Sequence, residues 1–228
     1  MSLTKFRSIL TIAALALAMV GCYEDPLFHS AEYLLPAEKR IYLKNAGLVQ
    51  LTVKSVYEKG LIYDSFWTNL SSRVASAEVF KFDTVDYLNL DGNSLTNVDE
   101  ITKFTSLKWL RLNLNQLSSL PDISSLTDLR RIYLRGNRFV SVPETLKSLP
   151  LLTDIDLSEN RQLSEVPKWL AEKSGLEHLS FSATSITCLP DDISAWKSLK
   201  TLQLGNLHLS KEEMDRIRLA LPKTAVVF

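Results

Sequence analysis

The chain has 228 residues, a length that accommodates one or two domains. Its 26 lysines and arginines balance 26 aspartates and glutamates, so no net positive charge attracts it to nucleic acid. Charged residues make up 23% of the chain and apolar residues 46%, which excludes an intrinsically disordered protein. Only two cysteines occur, Cys22 and Cys188, too few for a disulfide framework.

Residues 1–21 are predicted to be a signal peptide rather than part of the fold. Lys5 and Arg7 precede an apolar run at residues 9–20, which is too short to cross about 30 Å of hydrocarbon as a helix. Gly21 and Cys22 follow the run directly, and this ending resembles the lipobox of bacterial lipoproteins. The resemblance implies cleavage before Cys22 and attachment of lipid, such as palmitate, to its sulfur.

Two neighbouring residues refine this interpretation. Met19 stands where leucine is more usual in a lipobox, and Tyr23 follows the cysteine instead of aspartate. On the resemblance alone, Tyr23 implies the outer membrane of a Gram-negative envelope. The alternative is an ordinary secretory signal in which Cys22 occurs by chance.

Residues 22–84 are interpreted as a lipid-anchor tether followed by an N-terminal cap. Residues 36–46 are predicted to form a short helix, with Pro36 near its start and Gly47 as its stop. The sequence VQLTVKSV alternates as a strand does, and SSRVASAEVF is compatible with a helix. Residues 63–84 are also compatible with one degenerate repeat.

A repeat of 22–24 residues occupies positions 85–209. Six similar segments begin at 85, 107, 129, 152, 176 and 199, namely VDYLNLDGNSL, LKWLRLNLNQL, LRRIYLRGNRF, LTDIDLSENRQL, LEHLSFSATSI and LKTLQLGNLHL. Self-similarity at this period indicates a solenoid. The pattern LxxLxLxxNxL resembles the leucine-rich repeat family, and together with the signal the chain resembles a bacterial leucine-rich repeat lipoprotein. The resemblance implies an α/β horseshoe with a parallel β-sheet on its concave face and caps at both ends.

The repeat residues are expected to be structural. Leu110 and Leu112 show the period of a strand, and a coil can bury such leucines only against neighbouring coils. The ninth residue of a coil should bond the backbone of adjacent turns through its amide, as at Asn93, Asn115, Asn137 and Asn160. Thr184 and Leu207 replace this asparagine, so the ladder should weaken toward the C-terminus. Coil four contains one extra residue near 161–162, which predicts a small bulge.

Residues 210–228 are predicted to cap the solenoid. Ser210 and Glu213 form a capping-box pattern, and Pro222 should end the helix that follows them. The apolar face of this helix would be Met214, Ile217 and Leu221. Residues 225–228 should add one last strand.

Side chains that flank the core leucines should point to the concave face. The central coils place aromatic, arginine and aspartate side chains there: Trp109, Arg111, Arg131, Tyr133, Arg135, Asp154 and Asp156. Trp, Tyr and Arg are enriched at interface hot spots, so we expect this cluster to be accessible and to bind a partner. We also expect charge reversal at Arg111 to leave the fold intact. The alternative is that cross-strand pairs, such as Arg131 with Asp154, only stabilise the sheet.

Catalysis finds little support in the sequence. Asp154, His178 and Ser180 share the concave face, but an open sheet provides neither a pocket nor oxyanion donors. Cys188 lies within the repeat, in the turn after the fifth strand. No phosphate-binding loop, dinucleotide fingerprint or metal-ligand spacing occurs, so no catalytic residue, cofactor or metal site is predicted.

The leading functional hypothesis is a monomeric, lipid-anchored extracytoplasmic module that binds a protein or peptide in adhesion, host contact or envelope assembly. The alternative is an envelope scaffold or spacer whose N-terminal segment makes the important contact. A glycan is a third possible ligand, because Trp109 and Tyr133 are residue types that stack on sugar rings.

Overall fold

In the part of the chain that the structure describes, eight short parallel strands form a single sheet, one strand per coil. They are β1 (Arg40–Tyr42), β2 (Tyr87–Asn89), β3 (Trp109–Arg111), β4 (Arg131–Tyr133), β5 (Asp154–Asp156), β6 (His178–Ser180), β7 (Thr201–Gln203) and β8 (Ala225–Val227). Their order in the sheet is their order in the chain, as a solenoid requires. From β2 to β7 the register matches third, fourth and fifth residues of successive repeats, as the sequence pattern predicts.

The computed structural model describes residues 40–42, 44–45, 47–49 and 85–228. All of these belong to one unit, Ala37–Phe228. The predicted signal peptide, the predicted lipid site at Cys22 and the predictions for residues 50–84 lie outside the described residues. Among the helices that are described, none has both the length and the apolarity needed to cross a membrane.

Strand β1 corrects the prediction of a helix over residues 36–46. Arg40 lies opposite Tyr87, and the backbone N–H of Asn45 donates to the carbonyl of Asp91 at 2.8 Å. An additional coil therefore precedes residue 85. Its sequence fits the repeat at Ile41 and at the buried Leu48, but Ala46 stands where the template has asparagine.

The core lies between the sheet and the return segments on the convex side. The return segments form 3₁₀ helices at Asp99–Lys103, Glu144–Ser148 and Ser194–Ser198 and a short α1 at Lys168–Ala171. The first position of each coil is buried, at Val85, Leu107, Leu129, Leu152, Leu176 and Leu199. The fourth and sixth positions from Leu88 to Leu204 are buried in the same way, so one continuous apolar core runs through the coils.

The asparagine ladder forms as predicted. The Oδ1 of Asn137 accepts the backbone N–H of Leu117 at 3.0 Å. Its Nδ2 donates to the carbonyls of Leu112 and Leu134, both at 2.9 Å, and to that of Arg135 at 3.3 Å. One side chain thus joins two neighbouring coils, its own and the one before it. Thr184 keeps only the bond to its own coil, at 2.8 Å to the carbonyl of Phe181, so the ladder does weaken toward the C-terminus.

The C-terminal cap contains α2 (Lys211–Ala220) and β8. The hydroxyl of Ser210 accepts the backbone N–H of Glu213 at 3.1 Å, which is one half of the predicted capping box. The Glu213 carboxylate instead accepts the backbone N–H of Leu189 at 2.8 Å and binds Arg216 at 2.7 Å. Glu213 therefore fastens the cap to the preceding coil. On the predicted apolar face, Ile217 and Leu221 are buried and Met214 is half-buried.

Replacing Asn137 with alanine should destabilise the protein by about 3 kcal/mol or more. The substitution leaves buried backbone groups of two neighbouring coils without partners, and each such group costs about 1–3 kcal/mol. Urea denaturation followed by circular dichroism measures the loss. The matched control is Thr184→Ala, which removes one bond and should cost about 1 kcal/mol. Equal losses in the two variants would contradict the ladder's role in joining coils.

Candidate binding face

Six of the seven predicted binding residues form a regular array on the concave face. Trp109, Arg131 and Asp154 lie side by side on β3, β4 and β5. The parallel row two residues further along these strands is Arg111, Tyr133 and Asp156. Arg135, the seventh, lies two residues beyond the end of β4. The structure therefore brings the cluster together as the strand pattern predicts.

The first row is a stack of aromatic and cationic groups. The Tyr87 and Trp109 rings meet edge to face, with centroids 5.8 Å apart and planes at 72°. The Arg131 guanidinium lies over the indole of Trp109, with its Cζ 4.5 Å from the ring centroid. Such a cation–π contact contributes about 0.5–2 kcal/mol, depending on how far it is desolvated. Trp109 thus fixes the plane of the Arg131 guanidinium.

The Arg131 guanidinium has an ion-pair partner but makes no hydrogen bond within the described residues. Its Nε lies 3.6 Å from Oδ1 of Asp154, which is an electrostatic contact too long for a hydrogen bond. Its side chain is 25% exposed. A guanidinium has five N–H donors, so Arg131 keeps its donor capacity for another acceptor.

Asp154, the ion-pair partner of Arg131, has a carboxylate oxygen without a hydrogen bond. Its Oδ2 accepts the hydroxyl of Thr153 at 2.5 Å, while its buried Oδ1 has no hydrogen-bond partner among the described groups. Burial raises the pKa of Asp154 above its ordinary 3.8, and the Thr153 bond and the charges of Arg131 and His178 only partly oppose this. The carboxylate therefore orients Arg131 at a cost to stability.

The second row is more firmly occupied. The Arg111 guanidinium lies 5.4 Å from the centroid of the Tyr133 ring, and its Nε donates to Oδ2 of Asp91 at 2.8 Å. Asp91 also accepts the backbone N–H of Asn113 at 2.7 Å. Burial raises the pKa of Asp91, and the charge of Arg111 is the main opposing influence. The structure therefore revises the expectation for charge reversal at Arg111: this variant should destabilise the fold, because it would place a second carboxylate beside that of the buried Asp91.

The expectation that the whole cluster is accessible is also wrong. Trp109 and Tyr133 are only 8% and 5% exposed, and Asp154 and Asp156 are buried. Asp156 uses its Oδ1 to accept the backbone N–H and the hydroxyl of Ser158. The more accessible groups are Arg131 and Arg135, whose side chains are 25% and 44% exposed, while Nη2 of Arg135 donates to Glu159 at 2.6 Å.

The three residues that suggest a catalytic triad point to other partners. His178 Nδ1 lies 2.7 Å from the hydroxyl of Thr201, and the Asp154 carboxylate faces Thr153. Ser180 is buried on the same face. The hydroxyls of Thr201 and Thr153, not the other two members of a triad, are thus the partners of His178 Nδ1 and Asp154 Oδ2.

Sequence reasoning missed Asp91 and Tyr87 as members of the site. Each lies on the coil before its partner, Asp91 beside Arg111 and Tyr87 beside Trp109. The sequence did contain a signal for the pair of Asp91 and Arg111: a carboxylate stands at the seventh position of one coil and an arginine at the fifth position of the next.

Neither a protein-family model nor a curated protein matches the chain. Among solved structures, an internalin of Listeria monocytogenes is similar at 20% identity over 87% of this chain and 59% of its own, with a TM-score of 0.56. The leucine-rich repeat domain of APL1B is similar at 22% identity over 64% of this chain and 42% of its own, with a TM-score of 0.52. The fold is a leucine-rich repeat solenoid.

A leucine-rich repeat protein of Leptospira interrogans is also similar, at 25% identity over 68% of this chain and 57% of its own, with a TM-score of 0.38. The fold assignment rests on the other two structures. This leucine-rich repeat chain covers about two fifths to three fifths of the length of all three.

The Asp154→Asn variant should gain stability relative to the parent as the pH rises. Because the folded pKa of Asp154 is raised, the folded protein keeps a proton above pH 3.8 that the unfolded chain has lost. Parent stability therefore falls as the pH rises from 3.8 through the folded pKa, and asparagine removes this dependence. Urea denaturation between about pH 3 and 7 measures the difference.

Asp122→Asn is the control of opposite sign. Hydrogen bonds from Ser124 lower the pKa of Asp122, so its contribution to stability is present above pH 3.8 and is lost as the pH falls through the folded pKa. The stability of this variant relative to the parent should decrease as the pH rises. A pH-independent difference for Asp154→Asn would contradict the assigned environment of Asp154.

Proposed function

We propose that this chain is a protein-binding module whose partner contacts the arginines of the concave face. The observation that supports the proposal most strongly is the state of Arg131. Its guanidinium is stacked on Trp109 at 4.5 Å, partly exposed, and without a hydrogen bond in the described part of the chain. An arginine in this state has donors available for carboxylate or carbonyl oxygens of a partner.

The buried rings have a different role from the one that the sequence suggests. Trp109 and Tyr133 support the guanidiniums of Arg131 and Arg111 rather than contacting the partner directly. A side chain that is already ordered loses less conformational entropy when it binds. Concave faces of solenoids are recurrent binding surfaces, so the placement of the arginines there supports the same proposal.

The glycan alternative has less support. A sugar ring would have to stack on Trp109 or Tyr133, and these side chains are 8% and 5% exposed. The Arg131 guanidinium lies over the face of the indole. A protein or peptide with oxygen acceptors fits the accessible groups better.

The proposal extends to anchoring and location. The run that ends at Gly21–Cys22 supports lipidation of Cys22 and retention at the outer membrane, outside the cytoplasm. We further propose a monomer that carries out no catalysis and needs no cofactor. Multiple acyl chains on one lipoprotein would anchor it firmly, whereas a single chain gives only marginal binding.

A scaffold or spacer is the second candidate function. The observation in its favour is the burial of the concave side chains and their pairing within the sheet, as with Arg111 and Asp91 at 2.8 Å. Such contacts stabilise a solenoid without any ligand. In this case the arginines would be replaceable with no loss of partner capture.

The Arg135→Gln and Arg131→Lys variants should each weaken partner capture. Arg135→Gln removes an exposed charge whose pair with Glu159 contributes little to stability. Arg131→Lys keeps the charge beside Asp154 but removes the planar donors. A hot-spot loss of about 2 kcal/mol lowers affinity roughly thirtyfold. Capture by the full chain from envelope and host extracts identifies the partner, and titration measures the affinity.

Lys147→Gln is the matched control, because Lys147 lies on the convex side in the 3₁₀ helix Glu144–Ser148. This variant should bind as the parent does. Melting curves confirm that all three variants are folded. Unchanged affinity in both arginine variants would reject the concave face and favour the scaffold.

The Cys22→Ser variant should move from the membrane fraction to the soluble extracytoplasmic fraction. Serine has no thiol to receive the lipid, so the anchor is lost while the solenoid is unaffected. Detergent-phase partitioning and mass spectrometry of the N-terminus provide the measurement. Retention of the variant in the detergent phase would contradict lipidation at Cys22.

A further inference from the structure

A notch lies at the edge of the solenoid, just beyond the carboxyl ends of β3, β4 and β5. It encloses about 440 Å³ and is lined by Leu114, Gly136, Asn137, Arg138, Glu159, Arg161 and Gln162. Leu114, Gly136 and Glu159 are the eighth residues of three successive coils, with φ values of +55°, +65° and +58°. We name this feature the rim notch.

Gly136 keeps the rim notch open. A Cβ at this position would lie 2.7 Å from Cδ2 of Leu114, so a side chain would collide with one wall of the notch. Glycine also adopts the positive φ of this turn without strain. The missing side chain leaves a gap between the longer side chains of Leu114 and Glu159.

Leu114 is an unusual residue for its position. It adopts a left-handed backbone conformation, which costs a non-glycine residue about 1–2 kcal/mol, and yet its side chain is 55% exposed. Burial therefore does not offset the strain. The equivalent residues Glu159, Ala183 and Asn206 share this conformation, so the turn of the repeat imposes it, and the exposed leucine side chain is what distinguishes this coil.

The extra residue of coil four forms another wall. Residues 161 and 162 occupy the place where other coils have a single residue between the ninth and eleventh positions. The hydroxyl of Ser185 donates to the carbonyl of Arg161 at 2.6 Å, which fixes this bulge to the next coil. The insertion therefore adds an arginine with a fixed backbone to the lining of the notch.

The rim notch has an excess of positive charge. Glu159 is engaged by Arg135 Nη2 at 2.6 Å. Arg138 and Arg161 make no ion pair or hydrogen bond through their guanidiniums within the part of the chain that the structure describes, and both are exposed. Two unpaired guanidiniums beside an exposed leucine complement a carboxylate that is next to an aliphatic group.

We propose that the rim notch binds an acidic side chain of the protein partner, with a neighbouring aliphatic residue against Leu114. The inference rests on the proposed function, since it supposes a protein partner, and extends the contact from the concave face to the edge. Arg138 and Arg161 bind the carboxylate, and Leu114 provides apolar area. Among the repeats of residues 85–209 the inserted residue occurs in the one that begins at 152, and it distinguishes the rim notch from the equivalent turn at Gly92.

Nuclear magnetic resonance of the ¹⁵N-labelled full chain tests the proposal with two peptides. The probe is N-acetyl-Glu-Leu-amide, and N-acetyl-Gln-Leu-amide is its neutral counterpart. We expect the glutamate peptide to shift the amide signal of Gly136 in a saturable way, with affinity about tenfold above that of the glutamine peptide, because one charge-assisted contact distinguishes them. Equal titrations by the two peptides, or no shift of Gly136, would overturn the proposal.

Variants locate the contact. Arg138→Gln and Arg161→Gln should each weaken the glutamate peptide about threefold or more, a typical loss for one exposed charged contact. Arg130→Gln, an exposed arginine at the opposite edge of the sheet, should leave its affinity unchanged. Equal weakening by Arg130→Gln would show a general charge effect and overturn the assignment to the notch.

Failure here is distinguishable from failure of the proposed function. Arg131→Lys should weaken partner capture while leaving the peptide titration unchanged, because Arg131 does not line the notch. If the partner is captured through the concave arginines but the peptide does not bind, only the notch proposal fails.

Discussion

A leucine-rich repeat coil cannot satisfy its own backbone where the chain leaves the strand, and this constraint governs the rest of the structure. The groups at that turn are buried, so water cannot replace missing protein partners. Asn137 solves the problem for its coil by accepting from Leu117 and donating to Leu112 and Leu134. The amide bonds fix the stacking distance and the register together. Once the register is fixed, equivalent side chains of successive coils must form straight columns on the concave face.

The columns explain why the position of the site can be predicted from sequence. The burial and pairing of its side chains cannot be predicted in this way. Strand alternation assigns Trp109 and Arg131 to one side of the sheet, and the repeat period places them next to each other. Alternation does not determine the exposed fraction, which depends on what packs over a side chain. The burial of Trp109 and the diagonal contact between Arg111 and Asp91 therefore escaped prediction. Coil β1 escaped for a different reason, since Ala46 removes the asparagine that marks a coil.

The structural contacts of the concave face and its proposed binding role are compatible. A ring beneath a guanidinium stabilises the sheet, and the same contact restricts the guanidinium to one plane. Arg111 has a structural role, because it donates a hydrogen bond to Asp91 at 2.8 Å. Arg131 belongs to the same array, but the Asp154 oxygen that it approaches is 3.6 Å away. The difference between these two arginines is the geometric basis for assigning binding to Arg131 and support to Arg111.

Asp154 determines how Arg131 is held on the concave face. A carboxylate with a buried, unbonded oxygen destabilises a folded protein, and a neutral side chain of the same size would avoid the cost. This loss of stability is explained by function only if the charge of Asp154 positions Arg131 above Trp109. A full hydrogen bond between Asp154 and Arg131 would use guanidinium donors that a partner needs. A neutral residue in place of Asp154 would not hold the guanidinium in position. An electrostatic contact at 3.6 Å does neither, so it orients Arg131 while leaving its donors available to a partner.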